Sequence, residues 1–117
     1  METVMKSWIT AIGAMVIMVG SSIYSSTGAQ AAEVKLTLQN HQFTPAMVKV
    51  PANQPVTLII TNQDASPAEF ESKTLRLEKS IKGGATVSVQ VRALAPGRYR
   101  FFDDYHEDTT EGYLVAE

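Results

Sequence analysis

Period-two alternation of apolar and polar residues runs through this chain from residue 34 to residue 116, and few folds accept it. Val34, Leu36 and Leu38 alternate with Lys35, Thr37 and Gln39, and Val48 and Val50 flank Lys49. Val56, Leu58 and Ile60 alternate with Thr57 and Thr61, with Ile59 adding an apolar residue on the second face. Leu75 and Leu77 alternate with Arg76 and Glu78, and Val87, Val89 and Val91 with Thr86, Ser88, Gln90 and Arg92. Arg98 to Phe102 and Glu111 to Ala116 complete the set. In an extended backbone successive side chains point to opposite faces, so each segment has one dry face and one wet face. Turn formers separate the segments: Pro51-Ala52-Asn53-Gln54, Asn62 to Pro67, Lys82-Gly83-Gly84 and Pro96-Gly97. Six or seven short strands without helical periodicity predict an all-β sandwich whose two dry faces stack to form the core. Phe43, Tyr99 and Phe101 are the expected plugs of that core, and Met47 is read as a packing residue at a strand start.

The alternation starts late because the first residues serve another purpose. Lys6 precedes the apolar run Trp8 to Gly20, and a small-residue stretch with Ala29-Gln30-Ala31 follows. A cation, an apolar stretch and an A-x-A site are the parts of a secretory signal peptide. Residues 1–31 are therefore read as a signal peptide, and residues 32–117 as a single exported domain. An uncleaved N-terminal anchor is the alternative. No lipobox cysteine is present, which argues against a lipoprotein. Exported domains this small often carry disulfides, yet the sequence contains no cysteine. That removes thiol chemistry and thiolate metal ligation.

Charge narrows the functions further. The formal net charge is −2 with no basic stripe, so nucleic acid is not an expected partner. Lys73, Arg76, Lys79 and Lys82 lie mid-chain, whereas Asp103, Asp104, Glu107, Asp108 and Glu111 cluster late. No G-x-S-x-G turn and no glycine-rich phosphate loop is present, so hydrolytic and nucleotide functions have no support. His106 lies within the late acidic cluster, between two strands. Imidazole and carboxylates together suit Fe or Cu(II). Glu69 and Glu71 share a face if Glu69-Phe70-Glu71 is extended, either as a solvated strand edge balanced by Lys73 or Arg76 or as a pair of hard ligands. His41 is read as a strand-end residue whose ring packs or is hydrated. Tyr99, Tyr105 and Tyr113 are read first as residues at the rim of the core, with Tyr105, inside the acidic loop, as an alternative electron relay or donor to a ligand.

Several stretches resemble the cupredoxin-like domain family: Phe43-Thr44-Pro45 with Val48 and Val50, the Val56 strand ending in Asn62-Gln63-Asp64, the Pro96-Gly97-x-Tyr99-x-Phe101 lead, and the closing Gly112-Tyr113-Leu114-Val115. The resemblance implies a Greek-key β-sandwich. It places the family's first histidine ligand at Glu69, its cysteine at Asp103, its second histidine at His106 and its methionine near Thr110. A thiolate copper centre is excluded by composition. Glu69-Phe70-Glu71-Ser72 with Leu75, Glu78 and Lys79, and the run Phe101 to Thr109, look like the EfeO-type subgroup of periplasmic iron-uptake components, including FtrB-type stand-alone proteins.

That likeness implies a periplasmic protein that binds iron or copper through Glu69, Asp103 and His106, with Glu71, Glu107 and Asp108 nearby. It would assist iron uptake or ferrous iron oxidation, handing iron to an inner-membrane permease with a periplasmic redox partner. Two other readings are a metal-free module that docks a partner through Asp103, Asp104, Glu107 and Asp108, and a ferroxidase acting alone. Metal affinity is expected to fall between about pH 6.5 and 4, where His and carboxylates take up protons.

Overall fold

The computed structural model describes residues 31–117. The signal-peptide assignment therefore falls almost wholly on residues outside the described ones. Nine strands form: β1 (Ala32–Gln39), β2 (Gln42–Thr44), β3 (Met47–Val50), β4 (Val56–Asn62), β5 (Ala68–Ser72), β6 (Leu77–Ile81), β7 (Thr86–Val91), β8 (Gly97–Asp103) and β9 (Gly112–Ala116). No helix occurs among the described residues. One sheet has the order β2-β1-β4-β7 and the other β3-β9-β8-β5-β6. Both are mixed: β1 pairs parallel with β4 and β3 parallel with β9, and every other ladder is antiparallel.

The alternation determines which face of each strand is dry. In β4, Val56, Leu58, Ile60 and Asn62 are buried, while Thr57, Ile59 and Thr61 are half-buried. Leu36 and Leu38 of β1 and Val89 and Val91 of β7 extend that dry face. It meets Val48, Val50, Phe70, Phe101 and Leu114 of the second sheet in one apolar core. Three phenyl rings fill its middle. Phe43 stands edge-on to Phe70 and to Phe101, with centroids 6.1 and 5.2 Å apart, and Phe70 lies 5.4 Å from Phe101. Such offset pairs are favoured over face-to-face stacking. Gly112 lets β9 pass close to this trio: a Cβ there would come 2.5 Å from Phe101 Cζ and 2.9 Å from the Ala46 carbonyl. Gly112→Ala is expected to cost about 1–3 kcal/mol through overpacking, measurable as a lower denaturation midpoint.

The structure differs from the sequence reading in four places. Two strands are added, β2 and β5. β2 is only three residues long, and its turn, Asn40-His41, has no glycine to mark it although both residues have positive φ (54° and 56°). The mid-chain strand starts at Leu77, because Lys73 to Arg76 form a turn that Arg76 closes at φ 58°. Leu75 is buried from that turn, with its N–H donated to Ser72 Oγ. Tyr99, as one of its two readings has it, caps the rim of the core, and it donates its hydroxyl hydrogen to the Ala95 carbonyl. Met47 is half exposed; its sulfur accepts from Arg98, whose guanidinium lies over Tyr113.

Candidate metal centre

Three connections meet at one end of the sandwich: the β1–β2 turn, the β4–β5 loop and the β8–β9 loop. Asn62, fully buried at the end of β4, ties the second of these. Its amide nitrogen donates to the carbonyls of Ser66 (2.9 Å), Ile81 (3.3 Å) and Lys82 (3.3 Å), and its amide oxygen accepts from Asp64 N–H. Asn62→Ala leaves these carbonyls short of a donor, so a loss of about 2–3 kcal/mol is expected in urea unfolding.

Asp103 is the hub of the β8–β9 loop and is 1 % exposed. Its Oδ1 accepts from the backbone N–H of Glu69 (2.9 Å) and of Tyr105 (3.1 Å), and Oδ2 lies 3.2 Å from His106 Nδ1. The Asp103 N–H donates to Thr110 Oγ1, whose hydroxyl donates in turn to the His106 carbonyl (2.6 Å). Asp103 and Thr110, at the positions assigned to the family's cysteine and methionine, are thus committed to building the loop.

His41 and His106 lie face to face, with ring centroids 3.7 Å apart and planes 14° from parallel. The ring of His41 does pack, and its partner is the other histidine of the chain. Asp64 holds the turn beneath it. Its carboxylate accepts from the N–H groups of Asn40 (2.6 Å) and His41 (2.9 Å), and Oδ2 is 4.0 Å from His41 Nε2. The bond from the His41 N–H is the main cause that holds the Asp64 carboxyl below its usual range.

The sequence-predicted ligands divide between two places. Glu69, Asp103 and His106 do not converge. Phe70 pairs with Asp103 and Glu71 with Phe102 across β5 and β8, which carries Glu69 opposite Asp104. The Asp104 N–H donates to the Glu69 carbonyl at 2.8 Å. Asp103 turns inward, and Asp104 turns to the face that carries Glu69 and Glu71. Among the described residues one group of three potential ligands comes together, Glu69, Glu71 and Asp104, with one carboxylate oxygen from each within 4.8 Å of the others. Glu78 faces Glu71 across the β5–β6 ladder. Partial burial, and then the charges of Glu78 and Asp104, raise the Glu69 carboxyl above its usual range. Burial, Asp104 and Glu78 do the same to Glu71, with Lys73 opposing them. An open depression of about 300 Å³ runs from Glu71 and Glu78 to Lys73 and Arg76.

Glu107 and Asp108 do not join either group. Arg100 lies 3.3 Å from Glu107 and 2.6 Å from Glu111, and these bonds raise its own pKa. Asp108 is exposed. Tyr105 projects its ring into solvent, 55 % exposed, and only its N–H is engaged with Asp103. The sequence reading passed over Asp104 as a candidate ligand and His41 as a partner of His106. The β5–β8 register would have exposed the first, and nothing in local composition signals the second.

The chain belongs to the cupredoxin-like domain family, whose model matches residues 9–116. It is 38 % identical over 84 residues to an uncharacterized protein of Rickettsia prowazekii (strain Madrid E), covering 72 % of this chain and 67 % of that one. In fold it is similar to auracyanin A, a blue copper protein of Chloroflexus aurantiacus, with TM-score 0.64 and 17 % identity over 75 % of this chain and all of the other. It is also similar to the metal-binding domain of the Cu(I)-exporting P-type ATPase CopA of Streptococcus pneumoniae D39, with TM-score 0.65 and 11 % identity over 79 % of this chain and 91 % of the other.

The family's copper does not fit the residues found here. The chain has no thiolate to offer, and Met47 is on the surface beside Arg98. Asp103 has already given its two oxygens to two N–H groups and an imidazole. Imidazoles ligate through in-plane lone pairs, and stacked, nearly parallel rings aim those lone pairs side by side instead of at one ion. An all-oxygen donor set is the one this structure assembles, and carboxylate oxygen suits hard cations.

Proposed function

We propose that this domain binds a hard cation, iron foremost, through Glu69, Glu71 and Asp104, and carries it in the periplasm for an inner-membrane iron permease. The observation that supports this reading is the meeting of three carboxylates on one strand face, within 4.8 Å of one another and with Glu78 alongside. Like charges opposite one another destabilise a sheet unless something neutralises them, and a bound cation does so. Hard oxygen donors also favour Fe(III) over Fe(II), so the site would assist ferrous oxidation while leaving electron transfer to a redox partner. The EfeO-type likeness agrees with this role. A purely electrostatic docking loop is less well supported, because Arg100 already neutralises Glu107 and Glu111.

The test compares the wild-type domain with the triple variant Glu69→Gln, Glu71→Gln, Asp104→Asn, titrated calorimetrically with Fe(II) under nitrogen and with Fe(III) citrate. Wild-type protein is expected to take up one ion, and to be stabilised by about 2.7 kcal/mol at a hundred times its dissociation constant. The variant should lose this response and, without metal, melt above the wild type because the repulsion is gone. Equal titrations of the two proteins would remove the proposal.

The direction of the pH dependence follows from the raised pKa values. The folded state holds protons on Glu69 and Glu71 at pH values where the unfolded chain, near 4.5, has lost them. Metal-free stability therefore rises as pH falls through the window just above that value. Cation affinity falls through the same window as protons compete for the oxygens. With neither histidine in the donor set, no decline is expected near pH 6.5. Melting curves from pH 7 to 4, with iron and with chelator, check both signs.

A further inference from the structure

His41 occupies a conformation that costs it something. At φ 56°, as the second positive-φ residue of a two-residue hairpin turn, it sits where glycine is favoured and a residue with a Cβ is strained. The hairpin alone would be served better by Asn-Gly. What the imidazole adds is its stack on His106, 3.7 Å away in a loop 65 positions along the chain. From there the connections continue without a break. His106 Nδ1 meets Asp103 Oδ2, Asp103 Oδ1 accepts from Glu69 N–H, and Asp104 N–H returns to the Glu69 carbonyl. On the other side, the Asp64 carboxylate grips both N–H groups of the turn that carries His41.

The geometry points to a metal-free clasp: the His41–His106 stack, anchored by Asp64 and Asp103, fixes the β8–β9 loop where Asp104 faces Glu69 and Glu71, and its imidazoles are positioning residues, not ligands. The clasp ties together three loops at the end of the sandwich without any ion. Its consequence for the carboxylates rests on the cation-binding function proposed above. A loop free to drift would carry Asp104 away from the two glutamates and widen the site, weakening its grip on small cations.

His41→Asn separates the clasp from the fold, because asparagine tolerates the left-handed turn while removing the ring. Three measurements on the full chain test the inference. In hydrogen exchange by NMR, the amides of Tyr105 and His106 should exchange about tenfold faster in H41N than in wild type, with β1 and β4 amides unchanged. Unchanged exchange in the loop would overturn the clasp. Zn(II), a diamagnetic probe, should leave the imidazole nitrogen resonances of wild-type His41 and His106 in place; a large shift of both would make them ligands and overturn it equally. Tb(III), a hard-cation probe with a luminescence lifetime that counts bound waters, should bind H41N several-fold more weakly and with more water than wild type. Equal affinity and hydration would overturn the positioning role. The E69Q/E71Q/D104N variant provides the separating arm. If Tb(III) binds it as tightly as wild type, the carboxylate site fails, while the exchange result still decides the clasp.

Discussion

Phe101→Ala is expected to bring this domain to the edge of unfolding at room temperature. Phe101 is fully buried, packed against Phe43 and Phe70 and against the bare backbone of Gly112. Removing a ring from such a site loses its transfer free energy and leaves a cavity that a sheet on either side cannot close, at a cost of about 3–5 kcal/mol. Stabilities of about 0.05–0.15 kcal/mol per residue give a domain of this length about 4–13 kcal/mol, and at the lower end of that range the loss takes nearly all of it. With no cysteine, no disulfide limits the loss. Each kcal/mol moves the melting temperature of such a domain by roughly 4–8 °C, so a fall of at least about 12 °C should appear in a thermal scan. A melting curve unchanged by the substitution would contradict the packing described for the core.

Asp103→Ala should have the second-largest effect, and its comparison with Asp103→Asn carries the information. The alanine variant strips an acceptor from two N–H groups and from His106 in a site 1 % exposed. Buried donors left unmatched cost about 1–3 kcal/mol each, so a loss of about 3–5 kcal/mol is expected. Asparagine keeps a carbonyl oxygen for Glu69 and Tyr105 and should lose less than half as much. It should also retain cation affinity within about twofold, because Asp103 does not face the carboxylate cluster and the asparagine amide, accepting from Glu69 and Tyr105 and able to donate to His106 Nδ1, keeps the loop in place. Urea unfolding and a cation titration on both variants decide the matter. If asparagine abolishes cation binding while preserving the fold, Asp103 is a ligand and the assignment of roles is wrong.

The architecture was largely visible in the residue pattern, for a physical reason. A sheet face is written in the sequence with a period of two, and the alternations at Val34 to Leu38, Val56 to Ile60 and Val87 to Val91 each name the core-facing residues, with Val34 and Val87 only half-buried at the margin. Short or irregular pieces were less legible. β2 escaped because three residues carry too little pattern, and Leu75 misled because a turn can bury a leucine as well as a strand can.

The site was read only in part, since a site depends on which strands are neighbours. Glu69 and Glu71 were grouped correctly on one face by parity. Asp103 and His106 come together through the family resemblance. Joining the two pairs into one centre required Asp103 to face Glu69's side chain, and the β5–β8 register puts Asp104 there instead. Adjacent residues along an extended chain face opposite ways, so the carboxylate that joins Glu69 and Glu71 is that of Asp104, while Asp103 points inward to the loop. The packing of His41 was legible but its partner was not, because that partner lies in a distant loop and the left-handed turn that presents His41 contains no glycine.

X-ray absorption at the iron edge of the loaded wild-type domain tests the central claim most directly. Glu69, Glu71, Asp104 and water would give a shell of light oxygen scatterers without the outer-shell pattern that rigid imidazole rings produce, and the E69Q/E71Q/D104N variant would give no bound-iron spectrum. An imidazole pattern that disappears on substituting His106, or a bound ion that survives the loss of all three carboxylates, would contradict the account.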